Sequence, residues 1–75
     1  MFDKVKELLV EELNIDADDI TLDAQLVKDL GINSLELAEL ALRCDEEFGV
    51  EIDDDDIHRL ITVGDVASYI EEKQA

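Results

Sequence analysis

Asn33-Ser34-Leu35-Glu36-Leu37-Ala38-Glu39-Leu40-Ala41-Leu42-Arg43-Cys44-Asp45-Glu46-Glu47-Phe48-Gly49 reads as one helix with both ends marked. Asn33 is a favoured N-cap residue, and Glu36 stands three positions later, a variant of the capping box, so the helix is predicted to start at Asn33 or Ser34. Gly49 after Phe48 supplies the stop, because glycine tolerates the left-handed conformation that ends a helix. At about 100° per residue, Leu37, Leu40, Ala41, Cys44 and Phe48 fall on one side, the spacing of a core-facing stripe. Leu35, Ala38 and Leu42 fall on the opposite side. A helix in a small bundle buries one face, so the second stripe is predicted to be exposed. Glu36, Glu39 and Glu46 stand around it, with Arg43 nearby. An apolar strip rimmed by carboxylates suits a basic protein partner. Scattered exposed leucines are also ordinary on protein surfaces, and periodicity alone leaves both readings open.

Outward from this helix the pattern stays helical. Upstream, Val5, Leu8, Leu9 and Leu13 recur at helical spacing, with Phe2 one turn earlier, which predicts a first helix from about Asp3 to Asn14. A long connection, Ile15 to Asn33, carries isolated apolar residues Ile20, Leu22, Leu26 and Leu30, read as anchors that keep it ordered. Downstream, an acidic stretch from Glu51 to Asp56 leads into Ile57, Leu60 and Ile61, spaced for one or two helical turns. Thr62 then caps a last helix whose inner face is Val63, Val66, Ala67 and Ile70, with Asp65 in the first turn at the positive end of the dipole. No segment alternates with period two. The expected fold is all-α, a small bundle of three main helices plus one short helix, with a long ordered loop between the first two. With no proline, no glycine-rich linker and no repeat, residues 1–75 are read as one domain.

The 75 residues include 22 acidic and six basic side chains, a formal charge of −16 at pH 7. The basic residues, Lys4, Lys6, Lys28, Arg43, Arg59 and Lys73, are scattered rather than clustered, which argues against binding to nucleic acid or an anionic membrane surface. Basic surfaces and cations are the favoured partners. Disorder is disfavoured because 47% of the residues are hydrophobic, enough to build a core. Cys44 is the one cysteine, so no intrachain disulfide forms, and a reducing cytoplasm is the expected compartment. The first residues, Met1-Phe2-Asp3-Lys4-Val5-Lys6-Glu7, interleave charges where a signal peptide carries an apolar run, and no run is long enough to span a bilayer.

Ser34, one of two serines, heads both the second helix and its outer stripe. Unpaired backbone N–H groups and a partial positive charge at a helix start accommodate a phosphate ester better than other places on an acidic chain. Taken alone, Ser34 also reads as a simple capping or first-turn residue. An enzyme is not expected: His58 is the one histidine, read as a solvated helix residue, alone or paired with a neighbouring carboxylate, and nothing orients a base toward Ser34 or Cys44. Cys44 is read as core. Asp53-Asp54-Asp55-Asp56 lacks the glycine and distant glutamate of a calcium loop, so no metal site is assigned there and the run is read as loose cation attraction or a solvated turn.

Leu30-Gly31-Ile32-Asn33-Ser34-Leu35-Glu36-Leu37-Ala38-Glu39-Leu40 closely resembles the segment around the modified serine of acyl carrier proteins, usually Leu-Gly-x-Asp-Ser-Leu followed by an acidic helix. Asp45-Glu46-Glu47-Phe48-Gly49-Val50-Glu51-Ile52 is similar to the family's exit from that helix, and Ile61-Thr62-Val63-Gly64-Asp65-Val66-Ala67-Ser68-Tyr69-Ile70 to its last helix. The resemblance implies that Ser34 carries a covalent 4′-phosphopantetheine arm drawn from coenzyme A, holding acyl intermediates as thioesters. It implies as partners a phosphopantetheinyl transferase, fatty-acid or related synthase enzymes with basic docking patches, and acyl chains, with the protein itself a monomer.

Position by position, the resemblance implies a docking face of Leu35, Glu36, Ala38, Glu39, Leu42, Asp45, Glu46 and Glu47, with Asp54 at the start of the third helix. It likewise implies an acyl pocket formed by Leu40, Cys44, Ile52, Ile57 and Leu60. Three positions depart from the family pattern: Asn33 replaces the usual Asp, Arg43 adds a positive charge at the face's edge, and Cys44 stands where a larger aliphatic is common. The expected role is a carrier for fatty-acid synthesis. The alternatives are a specialised carrier for a polyketide, lipid or aminoacyl pathway, or an unmodified acidic interaction module that makes no use of the serine.

Overall fold

Met1 begins the chain by closing it onto its far end: its ammonium lies 3.5 Å from Glu71 Oε1. A computed structural model describes residues 1–74, which form helices α1 (Phe2–Leu13), α2 (Ser34–Phe48), α3 (Asp54–Ile57) and α4 (Val63–Gln74), with a single 3₁₀ turn at Ala17–Asp19. Three main helices and one short one are thus observed, and no strand forms among the described residues. α1 packs against both α2 and α4, and α3 packs against α2.

The apolar periods decide the packing. Val5, Leu8 and Leu9 of α1, Leu37, Leu40 and Cys44 of α2, and Val63, Val66, Ala67 and Ile70 of α4 are buried in one cluster. Ala41 and Phe48 flank it half-buried. The core is almost wholly aliphatic. No polar or charged residue is buried among the described residues, so their charged groups lie at or near the surface.

The helix ends follow their sequence signals. The Asn33 side chain accepts from the Glu36 N–H at 2.8 Å, and Glu36 Oε1 accepts from the Asn33 N–H at 3.1 Å, which completes the capping box. Gly49 closes α2 at φ 66°, its N–H donating to the Asp45 carbonyl at 2.9 Å. Thr62 Oγ1 accepts from the Asp65 N–H at 3.1 Å, while Asp65 Oδ2 accepts from the Ile61 and Thr62 N–H groups at 3.0 Å.

The long connection is ordered by its main chain as much as by its leucines. Leu26 N–H donates to the Ile61 carbonyl at 2.9 Å, Val63 N–H to Ala24 at 3.0 Å and Gly64 N–H to Leu22 at 2.8 Å. Gln25 and Thr62 form an isolated antiparallel bridge in the same seam. Ile20 and Leu26 are buried as expected, together with Ala24 and Ile32, which the sequence reading did not single out. Leu22 corrects it. Its side chain is 59% exposed, and its carbonyl, not its side chain, is the anchor.

The segment before α4 differs as well. α3 is made from the aspartate run itself, Asp54–Ile57, with Asp54, Asp55 and Asp56 in its first turn, where a helix's positive end favours carboxylates. Of the expected apolar trio only Ile57 lies in this helix and is buried; Leu60 is half-buried and Ile61 exposed. The expected turns through Leu60 and Ile61 do not form: α3 ends at Ile57, and the Ile61 backbone is diverted to pair with Leu26 and Asp65. Tyr69 of α4 pins α3 from the other side, its hydroxyl donating to Asp56 Oδ2 at 2.9 Å.

Candidate functional site at the start of helix α2

Ser34 is exposed and is the first residue of α2. The capping work falls to its neighbour: Asn33 and Glu36 exchange both capping bonds, and among the described residues no hydrogen bond engages the Ser34 hydroxyl. Of the two open readings of this serine, the N-cap is therefore Asn33, and Ser34 is a first-turn residue with an uncommitted hydroxyl. The first N–H groups of a helix have no intrahelical acceptor, and α2 adds the dipole of a 15-residue helix behind them. A nucleophilic role for Ser34 would need a base beside it, and none of the hydrogen bonds places one there.

Directly behind Ser34, the outer stripe stands open. Leu35 is 70% exposed and Leu42 59%, and Ala38 is exposed between them. Glu39, Asp45, Glu46 and Glu47 are exposed along the same helix, as is Asp54 at the start of α3. Glu36 is half-buried and committed to the capping box. Arg43, half-buried, is held by Glu12 Oε2 of α1 at 3.0 Å and by Glu46 Oε2 at 2.9 Å. The Glu12 contact was not legible from the α2 sequence, because it depends on how α1 lies against α2.

On the inner side, Leu40, Cys44, Ile52 and Ile57 are buried together and Leu60 packs half-buried against them. Burial pushes the Cys44 thiol from its ordinary 9.0 up to about 12, so it is a neutral core group at neutral pH. A groove of about 160 Å³, lined by Leu37, Ile57, Leu60, Gln25, Val27 and Ile61 together with His58, opens beside these residues. Leu37 lies one turn from Ser34, so this opening borders the serine end of α2. Val27 and Ile61 are both exposed at its rim: Val27 belongs to no helical period and was missed, and Ile61 was expected in a helical turn rather than at a groove. His58 is exposed at the end of α3 and takes part in no ion pair among the described residues.

Residues 3–70 match the family model of the phosphopantetheine attachment site. The chain is 45% identical over 73 residues to an acyl carrier protein of Thermotoga maritima, covering 97% of this chain and 90% of the relative. It is 43% identical over 74 residues to one from Helicobacter pylori and 42% to one from Helicobacter acinonychis, covering 99% of this chain and 95% of each. The chain belongs to the acyl carrier protein family. Members of this family are carriers rather than catalysts, and their cofactor is 4′-phosphopantetheine. The site fits that group: an exposed first-turn hydroxyl with no competing bond, backed by helix N–H donors that favour a phosphate. The sequence resemblance is thereby borne out at the level of family and fold. No helix is long and apolar enough to cross a membrane among the described residues.

Proposed function

We propose that Ser34 is the attachment residue for a phosphopantetheine arm: its hydroxyl oxygen gives up its proton and bonds to the pantetheine-bearing phosphorus of coenzyme A, the pyrophosphate P–O bond breaks, and adenosine 3′,5′-bisphosphate leaves. When bound, that arm supplies a terminal thiol that holds an acyl group as a thioester. The chain's own residues do the rest. The α2 start holds the phosphate with first-turn N–H groups, and Asn33 and Glu36 hold that start rigid through the capping box. The observation that carries this reading is the uncommitted, exposed Ser34 hydroxyl at the head of a helix whose outer face is left unpaired.

On the same reading, Leu35, Ala38 and Leu42 form the apolar floor of a docking face for basic partner enzymes. Glu39, Asp45, Glu46, Glu47 and Asp54 supply its charge, and Glu36 serves mainly to fix the helix start. The acyl chain shelters among Leu40, Cys44, Ile52, Ile57 and Leu60, entering by the groove between Leu37 and Ile61. The core around these residues is aliphatic, with no polar residue fully buried among the described residues, so its opening costs mainly apolar contacts, which supports this route. We assign the chain to fatty-acid synthesis, as one cytoplasmic, monomeric domain served by a phosphopantetheinyl transferase; the near full-length match to bacterial acyl carrier proteins supports that choice.

Intact mass after incubation with coenzyme A and several phosphopantetheinyl transferases tests the attachment. The wild-type chain is expected to gain the mass of one phosphopantetheine and Ser34→Ala none. Gain of that mass by Ser34→Ala would move the site elsewhere, and no gain by the wild type with any transferase would overturn the carrier reading.

A further inference from the structure

Arg43 is the one basic side chain on α2, and it is not free to act as a simple surface cation. Its Nε lies 3.0 Å from Glu12 Oε2 on α1, and its Nη1 donates to Glu46 Oε2 at 2.9 Å. Glu39 stands four residues before it, the spacing of a helical ion pair, yet the guanidinium turns to the other two carboxylates. Among the described residues Glu39 takes part in no ion pair. Arg43, Leu42, Glu39, Glu46 and Glu12 together line a shallow depression of about 270 Å³ where α1 meets α2.

We propose that Arg43 is a specificity-determining residue: held by Glu12 and Glu46, it offsets their charge on the α1-facing edge of α2 and leaves Glu39, Asp45 and Glu47 as the carboxylates of α2 that draw a partner's cations. The proposal rests on the docking reading of α2 given above. A partner cation aimed at Glu46 meets a fixed guanidinium already on that carboxylate, and like charges at such range repel. A partner cation aimed at Glu39 meets an unpaired carboxylate beside Leu35, Ala38 and Leu42. The fitting partner is a protein whose basic patch sets its cations against Glu39 and Asp45 and an uncharged surface opposite Arg43. A partner that sets a cation opposite Arg43 and Glu46 is discriminated against.

A merely structural bridge between α1 and α2 would look the same at rest, so the test compares two ways of breaking it. Loading by one phosphopantetheinyl transferase with coenzyme A is followed by intact mass for the wild type, Arg43→Gln and Glu12→Gln, with KM for the carrier and kcat measured from low to high salt. Arg43→Gln releases two carboxylates and is expected to lower KM by about two- to fivefold, the range of an exposed charge pair, with kcat unchanged and a steeper salt dependence. Glu12→Gln leaves Arg43 with Glu46 alone and is expected to raise KM. A structural bridge instead shifts both variants' thermal stability the same way and speeds neither. An unchanged or higher KM for Arg43→Gln, or a lower KM for Glu12→Gln, overturns the proposal while leaving Ser34 attachment standing. Absence of phosphopantetheine mass in all three proteins overturns the attachment reading and this proposal with it.

Discussion

Cys44 is fully buried on the inner side of α2, and its thiol is pushed from 9.0 up to about 12 by that burial. A raised folded-state value favours the protonated form, so the thiol's contribution is fully present below the unfolded value of about 8.5–9 and is lost as pH rises through the folded one. Between pH 9 and pH 12 the unfolded chain gives up a proton that the folded chain keeps. Stability from this residue therefore falls with a slope approaching about 1.4 kcal/mol per pH unit. Cys44→Ala lacks that slope and instead has a small cavity, costing about 1 kcal/mol at neutral pH. Urea unfolding under reducing conditions, from pH 7 to pH 10.5, is expected to show the wild type more stable at pH 7 and the gap closing or inverting above pH 9. A constant gap across that range would mean the thiol is not held out of water.

At the scale of elements, a main-chain seam ties the α1–α2 connection to the start of α4. Gly64, in the first turn of α4, donates its N–H to the Leu22 carbonyl at 2.8 Å, and a Cβ added to Gly64 would sit 2.8 Å from that same oxygen. The obstacle is backbone, so it cannot swing aside. Gly64→Ala gains helix propensity in α4 but forces the seam apart, and overpacking of this kind costs about 1–3 kcal/mol. The expected result is a lower melting temperature, with faster amide exchange at Leu26, Val63 and Gly64; a melting temperature equal to or above that of the wild type would show that the seam yields freely. This seam also explains what was legible beforehand. Val63, Val66, Ala67 and Ile70 announced their helix by period, and Asn33, Glu36 and Gly49 announced the ends of α2, because those signals are local. Ser34 and the exposed stripe from Leu35 to Leu42 were legible for the same reason. Leu22, Ile61 and the Arg43–Glu12 pair were not, since each is decided by chain segments far apart in sequence.

For the whole molecule, the formal charge of −16 acts on folding and on association with opposite signs. The molecule measures 28 × 23 × 20 Å, comparable to the screening length of about 30 Å at 0.01 M salt, so at that ionic strength its carboxylates all repel one another. At 0.1 M the length falls to about 10 Å and only neighbours interact. Screening therefore relieves the folded state, whereas the ion pairs it weakens, Met1–Glu71, Arg43–Glu12 and Arg43–Glu46, are surface pairs each worth at most about 1 kcal/mol. Added salt or divalent cations are expected to raise the melting temperature while the same salt slows loading by a basic transferase. Glu39→Lys separates the two effects at one residue, because Glu39 is exposed, is outside the observed ion pairs and stands on the proposed docking face. It lowers the net negative charge by two and introduces a cation four residues before Arg43. The variant is expected to melt no lower than the wild type at 10 mM salt, yet to load with a KM raised severalfold, a difference that shrinks as salt is added. Equal loading kinetics at every ionic strength would remove Glu39 from the interface, and a folding defect in the variant would mean that this carboxylate supports the helix rather than the partner.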